Sequence, residues 1–336
     1  MVGKKKRSGL LRRPKSITGN HTVPKSIKPQ NARQLIRRFH VLEKNKFSII
    51  DKIKRINNIP NLTTENYREI LSKTKLFKDS YDKSFEEHKN TLTKKSFELI
   101  TIDDSLTESE LYQKLASIDA EVEIRGGLKA YQLASTQGQN GKRGGDSSKR
   151  LVEWLKESLY SHKLENATAL EIGCLSPDNA ISTSGLFTEV SRIDLNSQHH
   201  LILQQDFMER PLPTDSSEKF NLISCSLVVN FVPDSRLRGE MLLRITKFLK
   251  KPTNSSISSL FFVLPLPCVT SSRYFDKDSL NKIMKHLGFT EVHYYEAKKV
   301  AYWLYDWSGE VSNLNNHFKK QEIHAGPNKN NFCITL

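Results

Sequence analysis

Three positions in the second half of the chain combine residue type and spacing in a way that suits a nucleoside ligand. Gly173 directly follows the apolar run TALEI at 168–172, and a glycine after a buried strand lets a ligand reach the backbone with no Cβ in its path. Asp194 follows 21 residues later, close to the roughly 20-residue offset at which an acidic side chain accepts hydrogen bonds from a ribose. Asp206, after a third apolar run, is placed to receive the exocyclic amine of an adenine ring. Taken singly, these are a turn glycine and two solvated or helix-capping carboxylates; taken in order, they describe a pocket for adenosine.

The same turn argues against a dinucleotide. A nicotinamide dinucleotide needs Gly-x-Gly-x-x-Gly there, because backbone amides at a helix N-terminus must cradle its pyrophosphate, and the later positions are Leu175 and Asp178. An adenosine-bearing ligand without phosphates fits better, and S-adenosylmethionine is such a ligand. Glu171 and Cys174, in the same turn, join Gly173, Asp194 and Asp206 as candidate cofactor contacts.

A parallel sheet would bring these residues together. From residue 166 short apolar runs alternate with helices: 168–172, 189–193, 200–203, 220–225 and 258–264 read as strands, and 235–249 and 277–287 as helices. Apolar strands alternating with helices imply a doubly wound, mostly parallel sheet over residues 150–336. The segments 290–295, 300–307 and 331–336 are expected to add antiparallel strands at one edge, with Trp303 and Trp307 as edge packing. In such a sheet ligands bind beyond the carboxyl ends of the strands, where strand order reverses.

The first part of the chain has another texture. No proline lies between Pro60 and Pro177. The segments 32–58, 63–75, 79–99 and the stretch after Ser105, where Ser105 and Glu108 have capping-box spacing, read as helices. Residues 31–135 are expected as a helical domain and 136–149 as a Gly-rich loop. A helix over 149–162 follows, with Asp146, Ser147 or Ser148 as N-cap.

With these elements in place a resemblance stands out. LEIG at 170–173, Ile193 with Asp194, and FNLISCSLVVNFVP at 220–233 resemble, in order, the first, second and fourth motifs of class I S-adenosylmethionine-dependent methyltransferases, with Leu175 where the first motif usually has a second glycine. YQLAS at 131–135, Gly138 with Gln139, RGGDSSK at 143–149 and VEW at 152–154 extend the likeness to the fungal methyltransferases that make N1-methyladenine in large-subunit (25S) rRNA. The resemblance implies a Rossmann-like seven-stranded sheet and S-adenosylmethionine as cofactor. It also implies large-subunit rRNA or a pre-ribosomal particle as partner, and residence in the nucleus and nucleolus.

Adenine N1 carries an in-plane lone pair and needs no deprotonation before it attacks a sulfonium methyl. The task is then to flip the base, exclude water and hold N1 in line at about 3–3.5 Å. The resemblance directs attention to the segment after the fourth strand: Ser226, small and close to both methyl and cofactor; Asn230, whose amide oxygen accepts from the adenine N6 amine; and Phe231, a stacking partner. The competing reading of 228–232 is core leading into the next helix. The loop 138–148 is expected to close over the cofactor, its amides and Arg143 holding a carboxylate or an RNA phosphate; the alternative is a linker with a helix cap.

The chain has 336 residues, with 52 Lys and Arg against 37 Asp and Glu, a net charge of +15. Residues 1–40 hold twelve basic side chains and no Asp or Glu, leaving +3 for the rest. Residues 1–30 are expected to form a disordered arm with Lys4, Lys5, Lys6, Arg7, Arg12 and Arg13 on RNA phosphates. The longest apolar run, 260–269, is broken by Pro265 and Pro267 and falls short of the roughly 20 residues a membrane span needs; no signal-peptide core follows the basic start. Cys174, Cys225, Cys268 and Cys333 lack the spacing of a zinc site, so reduced, buried thiols, no metal and a monomer are expected. The competing functional class is an inactive RNA-binding ribosome-assembly factor on the same fold, which cofactor titration separates from an enzyme. A protein or small-molecule methyltransferase gives no reason for the cationic arm.

Overall fold

The structure, a computed structural model, describes residues 29–93, 100, 102–103, 105–138, 145–157, 160, 163–197, 199–312 and 317–336. Helix α1 (Pro29–Ile56) begins on a proline, whose missing N–H costs nothing in a first turn. It ends on Lys54 and Arg55, which complement the negative end of the helix dipole. One face of the helix is buried: Leu42, Ile49, Ile50 and Ile53 form one core with Tyr67, Phe77, Tyr81, Leu111 and Leu115.

Four boundaries in this helical layer differ from expectation, one being the helix expected over 79–99, which runs from Lys75 to Thr91. The helix expected over 63–75 is a short piece, α2 (Tyr67–Leu71), because Thr74 caps a new helix, α3 (Lys75–Thr91), accepting from the Phe77 N–H at 3.4 Å. The capping box lies two residues beyond the Ser105 and Glu108 pair: Thr107 and Glu110 exchange bonds at the head of α4 (Glu108–Ile124), while Ser105 is held by Asp103. Helix α5 (Gly127–Gly138) runs three residues past Ser135, where a loop was expected to begin; its Ala130 and Ala134 are buried.

Charge buried in this layer is answered in place. Asp119 accepts from Lys46 Nζ at 2.8 Å, from the Tyr67 hydroxyl and from the Tyr81 hydroxyl at 2.5 Å, so one carboxylate joins α1, α2, α3 and α4. Glu121 takes Arg38 of α1 at 2.7 and 2.5 Å and Arg125 at 2.7 Å. Removing one partner of such a buried set costs about 3–5 kcal/mol, since the remaining charge is left unpaired.

Helix α6 (Ser148–Leu155) ends well before His162. The strands that follow are β1 (Thr168–Ile172), β2 (Glu189–Asp194), β3 (Leu203–Gln204), β4 (Leu222–Ser226), β5 (Ser259–Pro265), β6 (Phe289–Glu296) and β7 (Val300–Trp307). They form a seven-stranded sheet in the order β3-β2-β1-β4-β5-β7-β6. β1 to β5 are parallel, and β7 and β6 close one edge antiparallel. The expected doubly wound, mostly parallel sheet with an antiparallel edge is therefore the observed one, and Trp303 and Trp307 are buried in it. Strand order reverses between β1 and β4. The crossovers pair α7 (Ala180–Thr183) with β2, α8 (Ser235–Phe248) with β5, and α10 (Lys277–His286) with β6, α9 (Pro267–Thr270) following β5 directly. Asp234 caps α8, accepting from the N–H groups of Arg236 and Leu237 at 2.8 and 3.2 Å.

Two strand expectations are corrected. The strand placed at 200–203 is shifted to Leu203–Gln204. The segment 331–336 is not a strand. Its Phe332, Cys333 and Ile334 are buried, but its backbone is held by α8 instead: Thr335 N–H donates to Ser235 O at 3.0 Å and Arg238 Nη1 to Cys333 O at 2.7 Å. Gly239 permits this approach, because the Thr335 carbonyl oxygen lies 1.9 Å from where a Cβ would stand. The four cysteines are free and buried. Among the described residues no helix is long and apolar enough to cross a membrane.

Candidate active site

The register of the sheet sets three of the sequence-derived residues in one row. Ile172 lies opposite Ile193 on one side and Cys225 on the other. One step further, at the carboxyl edge and on both sides of the order reversal, come Asp194, Gly173 and Ser226, with Ser226 paired to Val263. The ladder continues through Gly173, whose N–H donates to Ile193 O at 2.9 Å.

Gly173 has φ +74°, and a Cβ there would stand 2.5 Å from Cγ2 of Val228. Both backbone conformation and packing demand glycine. Asp194 is half-buried; one carboxylate oxygen receives the Asn196 N–H at 2.8 Å, and burial raises its pKa. Glu171 is buried; Oε1 receives Asn179 Nδ2 at 2.7 Å, Oε2 is buried without a partner, and burial raises its pKa too. Cys174 is buried beside it, and burial pushes its thiol up. Asp206 is exposed, with one oxygen bonded to the Met208 N–H at 2.7 Å.

These residues fit an adenosyl group. Asp194 and Glu171 are carboxylates with fewer donors than they can accept, so hydroxyl and ammonium donors would relieve their desolvation. The glycine turn brings backbone to the surface between them.

The end of the Gly-rich loop is docked onto this edge, a contact sequence reasoning only partly anticipated. Asp146 Oδ2 accepts from Ala180 N–H at 2.5 Å and Ser148 Oγ from Ile181 N–H at 3.0 Å, capping the helix that follows the glycine turn. Asp146 Oδ1 takes Ser148 N–H at 2.8 Å, and Ser147 Oγ meets Ser226 Oγ at 2.7 Å. Asp146 thus caps α7, a distant helix, as well as bonding within its own turn. Arg143 and the arm residues Lys4, Lys5, Lys6, Arg7, Arg12 and Arg13 lie outside the described residues.

Beyond Ser226 the chain turns sharply. Leu227 has φ +58°, a left-handed conformation uncommon for a residue of its bulk, and its N–H is held by Val263 O at 2.9 Å. A 3₁₀ turn, Val229–Phe231, follows. Asn230 Oδ1 is buried there without a partner. Phe231 stacks on His40 of α1, ring centroids 4.0 Å apart, and His40 meets Tyr131 of α5 edge-on at 5.4 Å. The helical layer therefore reaches the carboxyl edge of the sheet. Sequence reasoning singled out Tyr131 within the YQLAS run and missed His40, which lies in a helix with no motif around it.

Sequence comparison adds a further observation. The profile of the family described as 25S rRNA (adenine(2142)-N(1))-methyltransferase, Bmt2, matches residues 116–334. The chain is 37% identical over 342 aligned positions to the 25S rRNA (adenine(2142)-N(1))-methyltransferase of Saccharomyces cerevisiae, covering 97% of this chain and 99% of that one. It is 43% identical over 237 positions to the 25S rRNA adenine-N(1) methyltransferase of Schizosaccharomyces pombe, covering 68% and 84%.

Proposed function

Because the chain belongs to the Bmt2 family of 25S rRNA adenine-N1 methyltransferases, we propose that it flips an adenine of large-subunit rRNA out of its helix and methylates N1 during ribosome assembly in the nucleolus. It is an S-adenosylmethionine-dependent rRNA methyltransferase. The observation that carries the site assignment is the row of Asp194, Gly173 and Ser226 across the reversal of strand order.

When bound, S-adenosylmethionine supplies a sulfonium methyl electrophilic enough for a neutral ring nitrogen. The residues of this chain then bind and orient. Asp194 would accept from the ribose hydroxyls, the unpartnered oxygen of Glu171 would take the ammonium of the amino acid portion, and Asp206 would accept from the exocyclic amine. Ser226, tied to Ser147, is the small side chain beside the reacting centre. Asn230 Oδ1, which is buried and unsatisfied, accepts from the N6 amine of the target base, leaving the N1 lone pair free. Phe231 packs beside it. No general base is needed, since the product is a cation that gives up no proton. The rate therefore comes from proximity, orientation and exclusion of water. The cationic start of the chain supports nuclear delivery and phosphate contact.

Mass spectrometry of rRNA nucleosides from cells with and without the protein tests this reading. Loss of N1-methyladenosine, restored by the wild-type chain and not by Asp194→Ala, is expected; undiminished N1-methyladenosine in the deletion would overturn it.

A further inference from the structure

Two unpaired polar atoms belong to side chains on either side of the boundary between helical layer and sheet. Among the described residues His40 Nε2 and Asn230 Oδ1 are both buried and without a hydrogen-bond partner. An unpaired buried polar atom costs about 1–3 kcal/mol, and the edge of the Tyr131 ring near His40 does not replace a full hydrogen bond. The two atoms belong to adjoining groups, because His40 stacks on Phe231, the residue directly after Asn230.

The chemistry of the reaction narrows what could satisfy them. A base that attacks through N1 cannot be recognised through N1, so an adenine must be read on its other polar edge, N6 and N7, which offers one donor and one acceptor. Asn230 Oδ1 supplies the acceptor for N6. A donor for N7 is then required, and a neutral imidazole carries one N–H. We propose that His40, in its Nε2–H form, donates to N7 of the target adenine and with Asn230 reads the base from two parts of the fold; this rests on the methyltransferase reading above.

Three further observations support it. Rings 4.0 Å apart leave no space for a third between them, so a base recognised by His40 would approach the ring edge that carries Nε2. Burial lowers the His40 pKa to about 4, which keeps the ring uncharged beside a sulfonium and a base that becomes cationic. One turn along α1, exposed Lys44 lies in the field of Lys320 and of the buried Arg238, with Asp234 opposing them, and its ammonium group is suited to a phosphate flanking a flipped nucleotide.

The test compares single-turnover methylation of rRNA bearing adenosine or 7-deazaadenosine at the target, for the wild type and for His40→Phe, which keeps a stacking ring. Replacing N7 by carbon leaves the N1 lone pair in place, so a slower rate reports recognition of N7 itself. The wild type is expected to lose about ten- to a hundredfold on 7-deazaadenosine, the range of a bidentate base contact. His40→Phe is expected to lose as much on adenosine and little more on 7-deazaadenosine, with S-adenosylmethionine affinity unchanged by calorimetry. Equal wild-type rates on both RNAs, or a full further loss in His40→Phe, would overturn the assignment. A wild type that binds cofactor and methylates neither RNA would contradict the function itself, a separate result.

Discussion

Ser147 and Ser226 share a hydrogen bond of 2.7 Å although 79 residues separate them. The first ends the Gly-rich loop and the second ends β4, so the loop and the carboxyl edge of the sheet are joined directly. The neighbouring Asp146 strengthens the link through the Ala180 N–H, which belongs to the helix after the glycine turn. Asp146→Ala removes that cap and the turn bonds to Ser148. A cap of this kind contributes about 0.5–2 kcal/mol. Asp146→Ala is therefore expected to lower the unfolding midpoint and to weaken S-adenosylmethionine severalfold in calorimetric titration. Wild-type affinity in the folded variant would show that the loop end plays no part in shaping the cofactor site.

At Gly173 the expected cost is larger and has two origins. The positive φ penalises any side chain by about 1–2 kcal/mol, and Val228 Cγ2 stands 2.5 Å from the new Cβ. Gly173→Ala should destabilise the fold and reduce cofactor binding, and Val228→Ala in the same chain should recover only the steric part. Asp194→Ala should behave oppositely, keeping the unfolding midpoint or raising it, since a carboxylate whose pKa burial raises is itself a cost to folding, while cofactor affinity falls at least tenfold. Thermal unfolding with calorimetry on the same samples separates the two patterns.

The contrast between these residues marks how far the sequence alone reaches. Gly173 and Asp194 were legible because one directly follows its strand and the other ends it, and strand, turn and spacing are local signals. The mostly parallel, doubly wound sheet was legible from alternating apolar runs, whereas the count of seven strands came from the resemblance and their order only from the structure. The capping box was misplaced by two residues because Ser105 and Thr107 both offer a hydroxyl three positions before a Glu, and only Asp103, which holds Ser105, decides between them. The segment 331–336 has strand-like composition, but Arg238 and Ser235 of α8 take its backbone groups, a choice made by tertiary contacts. His40 was illegible, since its meaning arises only where Phe231 meets it.

His40 also gives the fold a pH dependence of definite sign. Its ring meets those of Phe39, Tyr131 and Phe231, and burial lowers its pKa from 6.5 to about 4. The unfolded chain therefore binds a proton in this interval that the folded chain refuses. The stabilising effect of neutrality is complete above pH 6.5 and is lost as pH falls from 6.5 towards 4. Relative to His40→Phe, the wild type should lose on the order of 2 kcal/mol across that window. Urea unfolding at about pH 7.5, 6 and 4.5, values that span most of the window, measures the difference, and parallel curves for the two proteins would refute the burial of this ring.

The basic arm allows a prediction that separates RNA affinity from cofactor binding. Nine of the twelve basic residues in the first forty precede α1, whereas the row proposed to hold the cofactor lies at the ends of β1, β2 and β4. Deleting residues 1 to 28 leaves α1 and its buried face intact. Each phosphate interaction removed should reduce the slope of log affinity against log salt by about 0.7–0.9. The truncated chain is expected to bind rRNA more weakly at low salt and with a shallower salt dependence, while its S-adenosylmethionine affinity stays within about twofold of wild type. An unchanged salt slope would move the phosphate-binding role off the arm and onto the body, where Lys44 and Lys320 would be the first substitutions to make.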